Sequence, residues 1–270
     1  MEEFIDINGK NIFIKSSGNG DPIVFLHSSL LTSEMWKSQI NYFSKENKVI
    51  TFDFCGYGKS DLPKGVYSDY EDLKTILDKN NIKKTIIVGC SYGGSVALDF
   101  VLKYPEYVKK LILITPAING YRYPIKLTIE SIKNFRNVRK VGIEKAVEIF
   151  INNKYWNYIV PKENNFKEEF KNIFIENKNF YLGNYSKKQI IKPVAIKRLS
   201  EINNNVLLIG SENDSKFNKE VVSILSKNIK GIKICEIKNS GHLPNIEKSG
   251  EINKLIDEYI KTRELSLHIH

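Results

Sequence analysis

Residues 85–94 read Thr85-Ile86-Ile87-Val88-Gly89-Cys90-Ser91-Tyr92-Gly93-Gly94, a short apolar run that closes in Gly-x-Ser-x-Gly. A continuous run of β-branched residues is what a strand buried on both faces shows. After Ser91 the period changes: Val96, Ala97, Phe100, Val101 and Tyr104 fall along one face of a helix that Pro105 stops. The chain must therefore turn from strand to helix with Ser91 at the corner. Such a corner strains the serine backbone and points its hydroxyl outward, and the flanking glycines remove side chains that would collide there. The start of the helix adds free N–H groups and the positive end of its dipole. A serine so placed is a candidate nucleophile; a plain Ser/Gly turn that starts a helix is the blander alternative.

The alternation extends in both directions. Phe4-Ile5-Asp6-Ile7 and Ile12-Phe13-Ile14-Lys15 flank Asn8-Gly9, which predicts a hairpin. Ile23-Val24-Phe25-Leu26, Val49-Ile50-Thr51-Phe52, Leu111-Ile112-Leu113-Ile114, Val206-Leu207-Leu208-Ile209 and residues 232–237 read as further strands. Ser33 is placed to cap a helix carrying Trp36, Ile40 and Phe43, and Ser68 with Glu71 has capping-box spacing for a helix to about Asn80. Ile252, Leu255, Ile256, Tyr259 and Ile260 mark a last amphipathic helix. Strand–helix alternation predicts an α/β class, a mostly parallel twisted sheet with helices on both faces.

Residues 118–205 interrupt the pattern: they are helical in character, aromatic and basic, with no Val/Ile-rich strand run. They are expected to form a helical cap over the carboxyl ends of the strands, where such sheets bind ligands. The expected division is a core of residues 1–117 and 206–262, a cap of 118–205 and a flexible tail of 263–270. Cap aromatics such as Tyr123, Phe135, Tyr158 and Phe180 are candidates for an apolar acyl pocket, although most cap rings should form its own small core.

A serine at its ordinary pKa needs a base. Of four histidines, His268 and His270 sit in the tail and His27 follows a strand, whereas His242 lies between the last strand and the last helix. His242 is the expected base. The carboxylate that orients it should lie at another strand end. Asp214 meets this just beyond the Val206 strand, with Glu212 as its close competitor and Asp53 as a loop organiser; the end of the Leu111 strand, Thr115-Pro116-Ala117, offers none.

Composition bounds the rest. With 270 residues, 41% apolar and 27% charged, the chain can hold one large core with an insertion. No apolar run approaches the roughly 18–20 residues of a membrane span, and the acidic Met1-Glu2-Glu3 start lacks the pattern of a signal peptide, so a cytoplasmic protein is expected. Three unclustered cysteines (Cys55, Cys90, Cys235) argue against a disulfide framework or a zinc site. The net charge of +10 comes from 36 Lys and only 5 Arg, beside 38 Ile and 28 Asn, which is a compositional bias. Scarce Arg argues against nucleic acid as a partner. Residues 118–205 hold 17 Lys and Arg against 8 Asp and Glu, a net +9. A basic cap over a neutral core would draw an anionic substrate or membrane surface; a solvated lysine-rich face is the plainer reading.

These motifs resemble those of the α/β-hydrolase superfamily, from about Phe4 to Ile260 and most weakly in the cap. The order Ser91, Asp214, His242 is that family's order. Val24-Phe25-Leu26-His27 followed by Trp36, Asp53-Phe54-Cys55-Gly56-Tyr57-Gly58-Lys59-Ser60, and Gly241-His242 match further landmarks. The resemblance implies the α/β-hydrolase fold with an inserted helical cap and a Ser91–His242–Asp214 triad. It also implies an oxyanion hole from the backbone N–H groups of Ser29 and Tyr92, a structural His27, and no cofactor or metal. Two positions depart from the family: Ser28 stands where Gly usually follows the first His, and Cys55 where Arg is common. The stretch His27–Ile40 is similar to that of 3-oxoadipate enol-lactonases, and a serine nucleophile speaks against haloalkane dehalogenases and epoxide hydrolases.

The expected activity is that of a serine hydrolase cleaving a small carboxylic ester or lactone through an acyl-enzyme on Ser91. The same triad would serve a carbon–carbon bond hydrolase, an acyltransferase or a perhydrolase. A slow-turnover ligand receptor on this fold is the remaining alternative.

Overall fold

The computed structural model describes residues 1–262; the expected tail, with His268 and His270, lies outside the described residues. Among the described residues there are eight strands: β1 (Glu2–Ile7), β2 (Lys10–Ser17), β3 (Asp21–Leu26), β4 (Asn47–Phe52), β5 (Thr85–Cys90), β6 (Val108–Ile114), β7 (Val206–Ser211) and β8 (Lys233–Ile237). They form one sheet in the order β1-β2-β4-β3-β5-β6-β7-β8. The β1–β2 hairpin is antiparallel, β2 runs antiparallel to β4, and every later pairing is parallel. Ile7 pairs with Lys10, which leaves Asn8 (φ 55°) and Gly9 (φ 78°) as a two-residue turn in left-handed backbone. That geometry is why the Asn-Gly pair occurs there.

Alternation along the buried strands divides the core in two. Val24, Leu26, Ile87, Leu111, Leu113 and Leu208 pack on one face. Ile23, Phe25, Ile86, Val88, Ile112, Ile114, Leu207 and Ile209 pack on the other. The first face is covered by α2 (Asp69–Lys79), α3 (Tyr92–Lys103) and α7 (Lys216–Asn228) through Leu73, Ile76, Phe100, Val221 and Leu225. The second is covered by α1 (Lys37–Phe43) and α9 (Ser249–Lys261), through Phe43, Ile252 and Ile256, with the short α8 (Pro244–Glu247) leading into α9.

Between β6 and β7 lie α4 (Ile125–Val141), α5 (Ile143–Ile151), α6 (Asn164–Glu176) and several 3-10 turns. Phe150, Trp156, Phe170, Phe174 and Tyr181 of this insert are buried together, continuous with Leu31 and Met35 of the second face. Five of the thirteen insert rings are thus buried core, and others, such as Phe135, Tyr158 and Phe180, are half-buried against it. Among the described residues no helix is long and apolar enough to cross a membrane.

Two expected caps differ. Thr32, not Ser33, caps the turn Ser33–Trp36 by accepting from the Glu34 N–H, and α1 follows that turn. The Ser33 N–H is instead taken by the Asp53 carboxylate at 2.9 Å. Ser68 precedes α2 but makes no cap bond, and Glu71, the other half of the expected box, accepts from the Tyr104 hydroxyl at 2.6 Å. A tertiary partner thus took the Glu71 carboxylate, whereas the Ser33 hydroxyl has no partner among the described residues and Thr32 supplies the cap.

Candidate active site

The site begins at the corner between β5 and α3. Ser91 sits at φ 51° and ψ −115°, a region that L residues enter only under constraint. Its N–H donates to the Ile114 carbonyl at 3.0 Å, and its own carbonyl accepts from Gly94 at 2.9 Å and Ala117 at 2.8 Å. The glycines are steric necessities. A Cβ on Gly89 would stand 2.5 Å from the Gly93 oxygen, one on Gly93 would stand 2.1 Å from the Leu26 oxygen, and one on Gly94 would stand 2.5 Å from Cβ of Pro116.

His242 lies in the loop after β8, 4% exposed. Its backbone is fixed from two sides: its N–H donates to the Tyr158 carbonyl of the insert at 2.7 Å, and its carbonyl accepts from the Thr115 hydroxyl at 2.8 Å. Gly241 precedes it because a Cβ there would stand 2.6 Å from the same Tyr158 oxygen. The imidazole Nε2 is 2.8 Å from Ser91 Oγ, and Nδ1 is 2.7 Å from Asp214 Oδ2. With Nδ1–H given to the carboxylate, Nε2 presents its lone pair to the hydroxyl.

Asp214 is held in the loop between β7 and α7. Its Oδ1 accepts from the Ser215 N–H at 2.6 Å and from Asn218 Nδ2 at 2.8 Å, which reserves Oδ2 for the imidazole. Sequence reading passed over Asn218, although it lies four residues, one helical turn, beyond Asp214. The competing Glu212 faces solvent, accepting from the Asn239 N–H at 2.9 Å and lying 3.6 Å from Lys238 Nζ. Asp53 braces its loop, taking the Ser33 and Lys59 N–H groups on separate oxygens.

His27 is fully buried and not in this chain of contacts. Its Nδ1 faces the Ser28 carbonyl at 2.8 Å and its Nε2 accepts from the Phe54 N–H at 3.0 Å. Burial holds its pKa below the ordinary value, so it is a neutral brace between two loops. Ser29 follows in the turn beyond β3, and Tyr92 opens α3. Among the described residues neither amide N–H has an acceptor, so both remain available to a ligand oxygen. The Tyr92 hydroxyl donates to Asp69, and Lys188 Nζ of the insert lies 4.0 Å from the Tyr92 ring centroid. The departures from the family are buried: Ser28 Oγ has no partner among the described residues, and desolvation pushes the Cys55 thiol up to about 12. Such a thiol is inert. All three cysteines are free, and no three His, Cys, Asp or Glu side chains of the described residues converge as a metal site.

A family model described as the alpha/beta hydrolase fold matches residues 21–141. The chain has the α/β-hydrolase fold. Among curated relatives of the chain is a pimeloyl-[acyl-carrier protein] methyl ester esterase of Wigglesworthia glossinidia brevipalpis. It is 29% identical, with 93% of this chain and 98% of the relative covered. A carboxylesterase structure from Nitrososphaera gargenis superposes with a TM-score of 0.84 at 17% identity, covering 95% of this chain and 97% of that one. The enol-lactonase of Burkholderia xenovorans LB400 superposes with a TM-score of 0.79 at 19% identity, covering 96% and 100%. At those identities the two structures share the fold.

Proposed function

We propose that this α/β-hydrolase cleaves small carboxylic esters or lactones through an acyl-enzyme on Ser91. Nε2 of His242 takes the Ser91 proton as Oγ bonds to the ester carbonyl carbon, and Asp214 stabilises the imidazolium that forms. The carbonyl oxygen becomes an oxyanion facing the Tyr92 and Ser29 N–H groups, each donor worth roughly 2.7–4 kcal/mol in comparable sites. The tetrahedral intermediate collapses, the bond to the alkoxy oxygen breaks, and His242 returns its proton to that oxygen. Water then repeats the sequence on the acyl-enzyme, releasing the acid and restoring Ser91.

The observation that carries the reading is the unbroken chain of contacts, Ser91 Oγ to His242 Nε2 at 2.8 Å and Nδ1 to Asp214 at 2.7 Å, at a strained corner. A full-length relative named as a methyl ester esterase supports the bond type. The test is hydrolysis of p-nitrophenyl esters from acetate to octanoate by wild type and Ser91→Ala. The expected result is turnover that falls at least about a thousandfold in the variant. Turnover undiminished in Ser91→Ala would remove the nucleophile and the mechanism with it.

A further inference from the structure

Helix α4 turns two unlike faces to its surroundings. Asn134 and Val138 are buried, Leu127, Ser131 and Phe135 are half-buried beside them, and Asn134 Nδ2 donates to the Tyr181 hydroxyl at 3.1 Å. That side holds the helix to the rest of the insert. On the other side stand Ile125, Ile129 and Ile132, which are 79%, 47% and 47% exposed. Successive helical positions are about 100° apart, so these three and Arg136 fall in one row within about 60°. Lys126, Lys133 and Lys140 recur every seventh residue along one flank of the row, and Thr128 and Arg139 lie on the other. Of twelve large apolar side chains exposed among the described residues, Ile125, Ile129, Ile132 and Val141 all belong to this one 17-residue helix. Single exposed apolar residues need no explanation, whereas a contiguous row does.

The charge around the row decides what can cover it. Helix α4 carries five cations and one acid, Glu130, and that acid is taken by Lys133 at 2.7 Å and Asn153 at 3.1 Å. Lys126, Arg136, Arg139 and Lys140 enter no ion pair among the described residues. Lys126 lies 5.4 Å from the Tyr155 ring centroid, and Arg139 donates its Nε to the Tyr181 carbonyl at 3.3 Å. A solvated basic face accounts for the cations and not for isoleucines between them. A second copy laid on this face about a two-fold axis would set cations against cations. A nucleic-acid backbone would pair with the cations and leave the isoleucines without an apolar partner. An anionic bilayer surface offers both layers, charged headgroups at the level of the cations and acyl chains just beneath for the isoleucines.

We propose that the outer face of α4 is a docking surface for an anionic lipid bilayer, with the isoleucine row at the boundary between headgroups and acyl chains. None of these side chains belongs to the Ser91 site, and the test reads binding rather than hydrolysis. The full chain is sedimented with vesicles of phosphatidylcholine alone and with vesicles containing about one-third phosphatidylserine. Wild type is expected to partition onto the phosphatidylserine vesicles, to leave them as salt rises, and to stay off phosphatidylcholine. Ile129→Ser/Ile132→Ser should lower the partition coefficient about tenfold or more. Arg136→Glu/Lys140→Glu, at two exposed and unpaired side chains, should lower it about a hundredfold. Lys83→Glu/Lys84→Glu changes the net charge equally, at exposed positions just before β5 and outside the insert, and should lower it only about threefold. Equal losses in the two charge variants would mean adsorption through net charge and overturn the surface. An isoleucine variant that binds like wild type overturns it too. No binding by wild type also overturns it; a dimer or an oligonucleotide complex lost in the α4 variants would then give the face to a second copy or to nucleic acid.

Discussion

The nucleophile corner and the helical insert are built on opposite terms. At the corner, backbone meets backbone: Ser91 is pinned by Ile114, Gly94 and Ala117, and the glycines leave no room for a single added carbon. The insert is held by rings, with Phe150 stacked on Trp156 at 4.7 Å and Phe174 against Tyr181 at 5.5 Å. It meets the core through packing that continues to Leu31 and Met35 and through polar anchors such as Tyr158 to His242 and Asn179 to Gly58. A backbone-locked corner tolerates almost no sequence change and fixes the chemistry. A ring-packed insert can exchange one side chain for another and still fold, which leaves it free to set what reaches the serine.

Alanine substitutions at two glycines separate these regimes. In Gly93→Ala the new methyl would stand 2.1 Å from the Leu26 carbonyl oxygen, a backbone atom of β3 that cannot move without the sheet. In Gly183→Ala of the insert the close neighbour, at 2.5 Å, is the side-chain ring of Tyr185, whose displacement would cost its hydroxyl's bond to the Gly56 carbonyl but move no strand. The expected loss is about 3 kcal/mol or more for Gly93→Ala, and clearly less for Gly183→Ala. Urea unfolding of both variants decides it; equal losses would mean that the corner is no more rigid than the insert.

The same contrast explains what the sequence disclosed. Strand runs and the Gly-x-Ser-x-Gly corner are local patterns with one steric solution, so the sheet, the turn at Asn8-Gly9 and the neighbourhood of Ser91 were legible. Asp214 and His242 could be ranked because only strand ends converge on one edge of a parallel sheet. Asn218 was not legible, since an asparagine in the first turn of a helix has many commoner uses, and its partner is a carboxylate in the preceding loop. The caps failed for other reasons: Glu71, half of the Ser68 box, is taken by Tyr104, which is distant in sequence, and Thr32, one residue earlier than Ser33, caps the turn instead. Which insert rings face the site was hidden altogether, because Phe180 differs from Phe174 only in its three-dimensional neighbours.

A smaller effect is expected at Asn218, where the core is held by a side chain as the insert is. Asn218→Ala leaves Asp214 Oδ1 with only the Ser215 N–H. Losing one charge-assisted hydrogen bond beside the base should lower kcat by about tenfold with KM little changed. Asn218→Asp sharpens the point. A second carboxylate beside the imidazole favours its protonated form, so the acid limb of kcat/KM should move to higher pH. An unmoved pH profile and an undiminished kcat would show that Asn218 only packs.

The smallest effect concerns how the insert is tied down. Asp99 on α3 is 2% exposed, and its Oδ2 accepts from Asn119 Nδ2 at 2.9 Å and the Ile191 N–H at 3.2 Å, both at the ends of the insert. Burial pushes its carboxyl up to about 6, the two hydrogen bonds opposing that shift only in part. Its unfolded value is about 3.9, so between roughly pH 4 and 6 the folded chain binds more protons than the unfolded one. Stability therefore declines as pH rises through that window, as ionisation leaves a charge in a desolvated place. Asp99→Asn keeps an oxygen to accept from Asn119 or Ile191 and removes the charge. Its stability relative to wild type should rise from pH 4 to pH 7 by on the order of 1 kcal/mol. A difference that stays constant across that range, in urea unfolding at each pH, would mean that Asp99 does not titrate there and that the insert is anchored independently of pH.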